Sequence, residues 1–161
     1  MARKPDPQRL RMPHRSMRIL ILGAGGHGQV VADVLLRMAD AGAELAVAGY
    51  LDDKPGLTGE RLLDNPILGR LADRTFVPHD AVVVAVGDNL QRYRLTTELS
   101  REGAVFAVAC HPRAVIAPDV TIGPGTMVCG GVVTRRIPSR VTVVGAPNRP
   151  WPISVGGQPQ R

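Results

Sequence analysis

Arg18-Ile19-Leu20-Ile21-Leu22-Gly23-Ala24-Gly25-Gly26-His27-Gly28-Gln29-Val30-Val31 is the stretch whose reading decides the fold. Four consecutive aliphatic residues, with no polar alternation, read as a short strand buried on both faces. Gly23, Gly25 and Gly28 then spell G-x-G-x-x-G, and apolar residues at Val30, Val31, Val34 and Leu35 carry a helical period. The order is strand, tight turn, helix. In such a turn the first glycine permits the bend, the second lets backbone approach a phosphate, and the third lets helix pack on strand. The helix amino end adds unpaired N–H groups and a positive dipole, which suits a diphosphate. The same residues also describe a glycine-rich connection that binds nothing.

Outward from that stretch, 161 residues suit one ordinary domain or one domain with an appendage. With only 3% aromatic residues, the core has to be built from Val, Leu, Ile and Ala, as in parallel sheets. No apolar run reaches membrane-span length, and none precedes Ile19 as a secretory leader does; a cytoplasmic protein is expected. Cys110 and Cys129 lack metal-ligand spacing and are too few for a disulfide framework, so no metal site is expected and both read as small buried hydrophobes. The net charge of +6 is unevenly spread. Residues 1–18 hold six Lys/Arg against Asp6, residues 135–161 hold five Arg and no acid, and the middle holds nine basic against thirteen acidic residues. The basicity lies in solvated arms, so neither nucleic acid nor a membrane is the expected partner. Residues 1–17 and 151–161 are expected to be disordered tails, with Met17 a natural start.

Leu45–Leu51 reads as a second strand ending at Asp52-Asp53. An acid at this place serves ribose hydroxyls in dinucleotide-type folds, and Asp-Asp-Lys-Pro-Gly is equally good turn chemistry. Pro66–Gly69 suggests a short strand and Leu71–Asp73 a fragment of helix. Ala81–Val86 is the clearest strand and ends at Gly87-Asp88-Asn89. Asn89 can cap a helix whose apolar positions are Leu90, Leu95 and Leu99, and Ala104–Ala109 reads as another strand. Alternation of this kind implies a parallel sheet with its ligand crevice at the strands' carboxyl ends. Gly23, Gly25, Gly26, His27, Gly28, Asp52, Asp53, Gly87, Asp88 and Asn89 all fall at such ends, with Arg92 just inside the helix and able to reach a phosphate.

At His111 the pattern changes. Ile116, Ile122 and Val128 recur every six residues, each followed by a small residue, the period of a solenoid of short parallel strands. His111 before Pro112 reads as a structural turn at the junction.

The motifs Gly-Ala-Gly-Gly-His-Gly (23–28), Gly-Tyr-Leu-Asp-Asp (49–53), Val-Gly-Asp-Asn (86–89), Cys-His-Pro-Arg-Ala (110–114), Val-Thr-Ile-Gly-Pro-Gly-Thr (120–126) and Val-Val-Gly-Ala-Pro-Asn-Arg-Pro (143–150) occur in this order. Together they resemble bacterial sugar acetyltransferases of the sialic-acid O-acetyltransferase and bacillosamine N-acetyltransferase type, over about 19–150. The resemblance implies an α/β, Rossmann-like parallel-sheet domain (18–110) that binds a UDP-sugar. It further implies a hexapeptide-repeat left-handed β-helix, here a truncated turn and cap (111–150). Homotrimers that take acetyl-CoA between neighbouring β-helices, acting in polysaccharide biosynthesis, complete the expectation. The family's catalytic histidine lies on coils that this chain passes over, and no histidine follows His111. No catalytic residue is assigned by matching. The expectation is therefore nucleotide-sugar binding without turnover by this chain. The alternatives are a non-catalytic partner subunit and an NAD-binding Rossmann protein.

Overall fold

β1 (Met17–Leu22) forms where Ile19–Leu22 run without interruption, and all four are at most 1% exposed. A strand buried on both faces needs a cover on each. Ile19 and Ile21 pack with Val31, Val34 and Leu35 of α1 (Gly26–Asp40), while Leu20 and Leu22 pack with Leu99 of α2 (Asn89–Arg101). Each fully buried aliphatic side chain of this kind stabilises the fold by roughly 1.5–3 kcal/mol. The structure is a computed structural model that describes residues 15–140 and the backbone of 142–144 and 149–150. The tail expected at 151–161 lies outside the described residues, as does that at 1–17 except for 15–17, where Met17 already belongs to β1.

Among the described residues the main sheet has the order β3–β4–β2–β1–β5, with β2 at Leu45–Leu51, β3 at Arg61–Leu62, β4 at Asn65–Gly69 and β5 at Ala81–Val84. β4, β2, β1 and β5 run parallel, whereas β3 pairs antiparallel with β4, so the sheet is not wholly parallel as expected. The chain builds outward from β1 to β2 and β4, then returns to place β5 on the other flank of β1. That reversal puts a topological switch beside the carboxyl end of β1, where open α/β sheets hold their ligands. β2 carries a register slip: Ile19 pairs with Val47 and Leu20 with Gly49, leaving Ala48 extra. Gly49 has φ +140°, and a Cβ there would come within 2.7 Å of the Pro66 carbonyl oxygen, so the bulge demands glycine.

Three sequence expectations are corrected in this half. The fragment of helix at Leu71–Asp73 extends as a 3-10 helix over Leu71–Phe76. Ala104–Ala109 is not a strand but a single bridge from Phe106 to Val82 before β6 (Ala109–Cys110). Val30 and Leu90 stand largely exposed, so the apolar stripes of both helices are narrower than their sequence pattern. Arg74, on the 3-10 helix, is clamped to α2 by Glu98 at 2.5 Å and Glu102 at 2.6 Å. The bond to Arg74 holds the Glu102 carboxyl below its ordinary range.

Beyond β6 the chain folds back on itself in three parallel ladders. β6 pairs with β8 (Met127–Val128), which pairs with β10 (Thr142–Val144); β7 (Val115–Ile116) pairs with β9 (Val132–Val133); and Ile122 bridges Ile137. β11 (Arg149–Pro150) runs antiparallel to β10. The six-residue spacing is realised in packing: Ile116, Ile122 and Val128 share one small core with Val133 and Ile137. This part is not a separate body. Ala109 and Met127 are buried in the same cluster as α1, and the Cys110 N–H donates to the Met38 sulfur at 3.3 Å. Cys110 and Cys129 are half-buried against apolar neighbours, which raises both thiol pKa values. No helix among the described residues is long and apolar enough to cross a membrane.

Candidate functional site

The glycine stretch resolves into two kinds of glycine. Gly23 has φ +116°, and a Cβ there would meet the Ala85 carbonyl oxygen at 2.7 Å. At Gly28 a Cβ would lie 2.0 Å from the Gly23 carbonyl oxygen, so this glycine is spent on seating α1 against the loop. Gly25, Gly26 and Gly87 are different: each is exposed, and a Cβ on any of them would meet nothing within 4 Å. Internal packing does not require them. They leave a wall of bare backbone facing outward.

That wall borders a cleft of about 220 Å3, lined by Gly23, Gly25, Gly26 and His27, by Asp52 and Asp53, by Leu71, and by Ala85, Val86, Gly87 and Gln91. It opens at the switch point beside β1 and β5. Gly25 is the residue before α1, its side-chain-free cap leaves the first-turn N–H groups without a side-chain acceptor, and no acid occupies that turn. The amino end of the helix therefore faces the cleft with no acid in its own first turn, while the Asp52 carboxylate on the Ala24 N–H lines the same cleft.

Asp52 holds this geometry. One carboxylate oxygen accepts from the Ala24 N–H at 2.7 Å and the other from the Lys54 N–H at 2.8 Å. It thus pins the glycine loop to the end of β2 while closing its own turn. Asp53 accepts from the Leu71 N–H at 3.0 Å and lies 3.7 Å from the Arg70 guanidinium. His27, the second residue of α1, is half-buried between the cleft and Arg92. Burial, and secondarily the Arg92 charge, lower its pKa from the usual 6.5, so the imidazole is neutral at pH 7.

The third loop departs from expectation. The cap of α2 is Asp88, not Asn89: the Asp88 carboxylate accepts from the Gln91 N–H at 2.7 Å. The Asn89 side-chain oxygen accepts instead from the Arg92 guanidinium, which also donates to the Val86 carbonyl at 3.0 Å. Burial of Arg92 among these neutral acceptors lowers its pKa, with Asp88 acting in the opposite sense. Seven of the eleven expected residues therefore line one cleft (Gly23, Gly25, Gly26, His27, Asp52, Asp53, Gly87). Gly28, Asp88, Asn89 and Arg92 do not line it: Gly28 seats α1, Asp88 caps α2, and Asn89 and Arg92 line a separate cavity along α2. Sequence reasoning missed four lining residues: Ala85 and Val86, which follow β5, and Leu71 and Gln91, which the 3-10 helix and the first turn of α2 deliver to the cleft without any motif to mark them.

His111 behaves as a turn residue, its ring nitrogen accepting from the Arg113 N–H at 3.1 Å and its carbonyl from the Ala114 N–H at 2.8 Å. Among the described residues no cluster of His, Cys, Asp and Glu has the makings of a metal site.

Comparison with known proteins agrees with this architecture. The UDP-N-acetylbacillosamine N-acetyltransferase of Bacillus subtilis (strain 168) is 29% identical over 112 residues, which is 68% of this chain and 50% of that protein. The chain thus spans half the length of this curated relative. The acetyltransferase domain of PglB from Neisseria gonorrhoeae FA1090, solved in complex with acetyl coenzyme A, superposes with a TM-score of 0.69 at 28% identity, covering 81% of this chain and 63% of that one. PerB from Caulobacter crescentus, solved with CoA and GDP-perosamine, has a TM-score of 0.58 at 19% identity over 83% of this chain and 97% of its own, a likeness of fold. Residues 18–99, half of the chain and the half that builds the cleft, match the PglD N-terminal domain, and the chain belongs to that family.

Proposed function

We propose that the cleft binds a nucleotide-activated sugar, a UDP-sugar by analogy with the Bacillus relative, with its diphosphate against the bare backbone of Gly25, Gly26 and Gly87. The observation that carries this reading is the convergence of three strand-end loops on one cleft whose exposed glycines serve no packing purpose. In this reading Asp52 holds the loop in place through Ala24, Gln91 offers an amide, and neutral His27 offers one hydrogen bond to the phosphate or the sugar.

The wider activity is acetyl transfer from acetyl-CoA to an amine or hydroxyl of that sugar, with residues 111–150 forming a truncated left-handed β-helix turn and its cap. The donor's share of the site is poorly provided for. Among the described residues each of the three ladders carries two rungs, with β10 adding a third to one of them, so they offer little length of coil for a groove. General-base assistance contributes about 10²–10⁴ in rate, and no histidine follows His111 to supply it. The chain on its own therefore recognises the sugar nucleotide and does not turn it over. The trimer of the resemblance is proposed to form through β7 and β9, where paired Val115 and Val132 are both exposed. Sedimentation of the purified chain tests that association.

Calorimetric titration with UDP, a UDP-4-amino sugar, NAD(H) and acetyl-CoA tests the reading. Saturable binding of the UDP compounds, without NAD(H) binding and without acetyl-CoA turnover, is expected. Binding of NAD(H) in preference to UDP would make this a dinucleotide site. Turnover at ordinary enzyme rates would make the short coil a working donor site.

A further inference from the structure

A second, larger cavity of about 460 Å3 runs along α2, on a face that neither core cluster covers. Its cationic and polar wall is made by Arg92, Tyr93, Thr97 and Arg101 from the helix and by Ser139 and Arg140 from the loop after Ile137. Among the described residues three arginines line it, and no acidic residue does. The acids of the same helix half, Glu98 and Glu102, are bound to Arg74 and do not enter the lining.

Arg140 is built into this place. It adopts φ +64°, the left-handed region that residues other than glycine seldom enter, and its N–H donates to the Pro124 carbonyl at 2.8 Å. Its side chain passes over Gly125 and ends at the Ser100 hydroxyl, 3.0 Å away, a neutral partner. Arg101 sits beside Ser100 in the last turn of α2. A cation there also offsets the helix's negative end. That accounts for one guanidinium, not for a second one brought to the same end from elsewhere in the chain. Arg92 stands nine residues before Arg101, about 13 Å along the helix at 1.5 Å per residue. It also borders a small gap whose lining includes His27, a residue of the glycine cleft.

We propose that the groove along α2 is a second anion site, which takes an elongated phosphorylated ligand with a phosphate between Arg101 and Arg140 and its body running toward Arg92. The Arg140 guanidinium bonds to a neutral hydroxyl, so its charge remains available to a phosphate.

The probe is inorganic pyrophosphate, titrated calorimetrically into the Gly25→Val chain so that the glycine cleft is obstructed. Saturable binding is expected in that chain, weakening as salt is raised. Arg101→Gln and Arg140→Gln, each added singly, are expected to weaken it by at least about tenfold, the loss of one charge-assisted contact. Arg101 is exposed, so its replacement leaves the fold intact even if the Arg140 variant destabilises it. No saturable binding in the Gly25→Val chain would overturn the proposal. So would an affinity that Arg101→Gln leaves unchanged. Whether UDP binding to the unmodified chain is lost in Gly25→Val is read separately, so failure of the groove and failure of the cleft are distinguishable.

Discussion

Replacing Gly25 by valine separates what the glycine loop does for the fold from what it does for a ligand. Gly25 has φ −74° and ψ −171°, extended backbone open to any L residue, and a Cβ there meets nothing within 4 Å. The folded chain therefore accepts the valine without strain. The cost is a poorer helix cap, at most about 1 kcal/mol, which in a domain of this size lowers Tm by roughly 2–4 °C. The effect on binding is much larger, because the isopropyl group stands where a diphosphate must approach backbone. Losing two N–H contacts to phosphate, each worth about 1.5–3 kcal/mol, weakens a UDP-sugar by roughly 10²–10⁴-fold. Gly28→Ala is the contrasting control. Its methyl carbon would sit 2.0 Å from the Gly23 carbonyl oxygen, so the loop or α1 has to move, and overpacking of this sort costs about 1–3 kcal/mol or more. Circular dichroism melting and calorimetry on both variants supply the comparison. If Gly25→Val bound UDP-sugar as tightly as the unmodified chain, the open glycines would not be the phosphate wall, and the site assignment would fall.

His27 is expected to titrate below 6.5 in an NMR pH series, and Arg92→Gln to move it partly back, since burial is the larger cause and the Arg92 charge the smaller. Because the folded chain binds this proton less readily than the unfolded one, stability is full above pH 6.5 and falls as pH drops from 6.5 through the depressed value; a His27→Asn chain should lose that slope. Tyr50→Phe should leave Tm unchanged or raise it, because the buried Tyr50 hydroxyl has no hydrogen-bond partner among the described residues. A marked fall in Tm would reveal a partner. A chain beginning at Met17 should melt with the full chain to within a degree or two. The trimming removes the exposed Arg15–Asp80 pair at 3.8 Å, of a kind worth about 0–1 kcal/mol, while Asp80 keeps its bond to the Arg18 N–H.

The parts of this fold that were legible in the sequence are those where one physical demand sets residue type over several positions. Ile19–Leu22 had to be a doubly covered strand because no polar face was available. The six-residue spacing of Ile116, Ile122 and Val128 had to bring them together. The errors fall where a single contact decides. Asp88 and Asn89 are both good caps, and the choice went to Asp88 because Arg92 engages Asn89 in holding the loop below. Ala104–Ala109 has strand-like residues, yet it meets β5 in a single bridge at Val82, through the Val105 carbonyl and the Ala107 N–H, the segment being spent on crossing from the sheet to the coil. β3 was invisible because a two-residue strand carries no period.

The site shows the same division more sharply. G-x-G-x-x-G says that three glycines are needed but not why. In this chain Gly23 and Gly28 answer to clashes inside the protein, and Gly25 answers to none. Gly26 and Gly87, which the motif does not require, answer to none either. Gly25 is a favourable helix-cap residue in its own right, but Gly26 and Gly87 answer to neither an internal clash nor a positive φ, and space for a Cβ is open at each. In the proposed function this bare wall is the surface that the diphosphate approaches, which is why the cleft, rather than the motif, bears the weight of the functional reading.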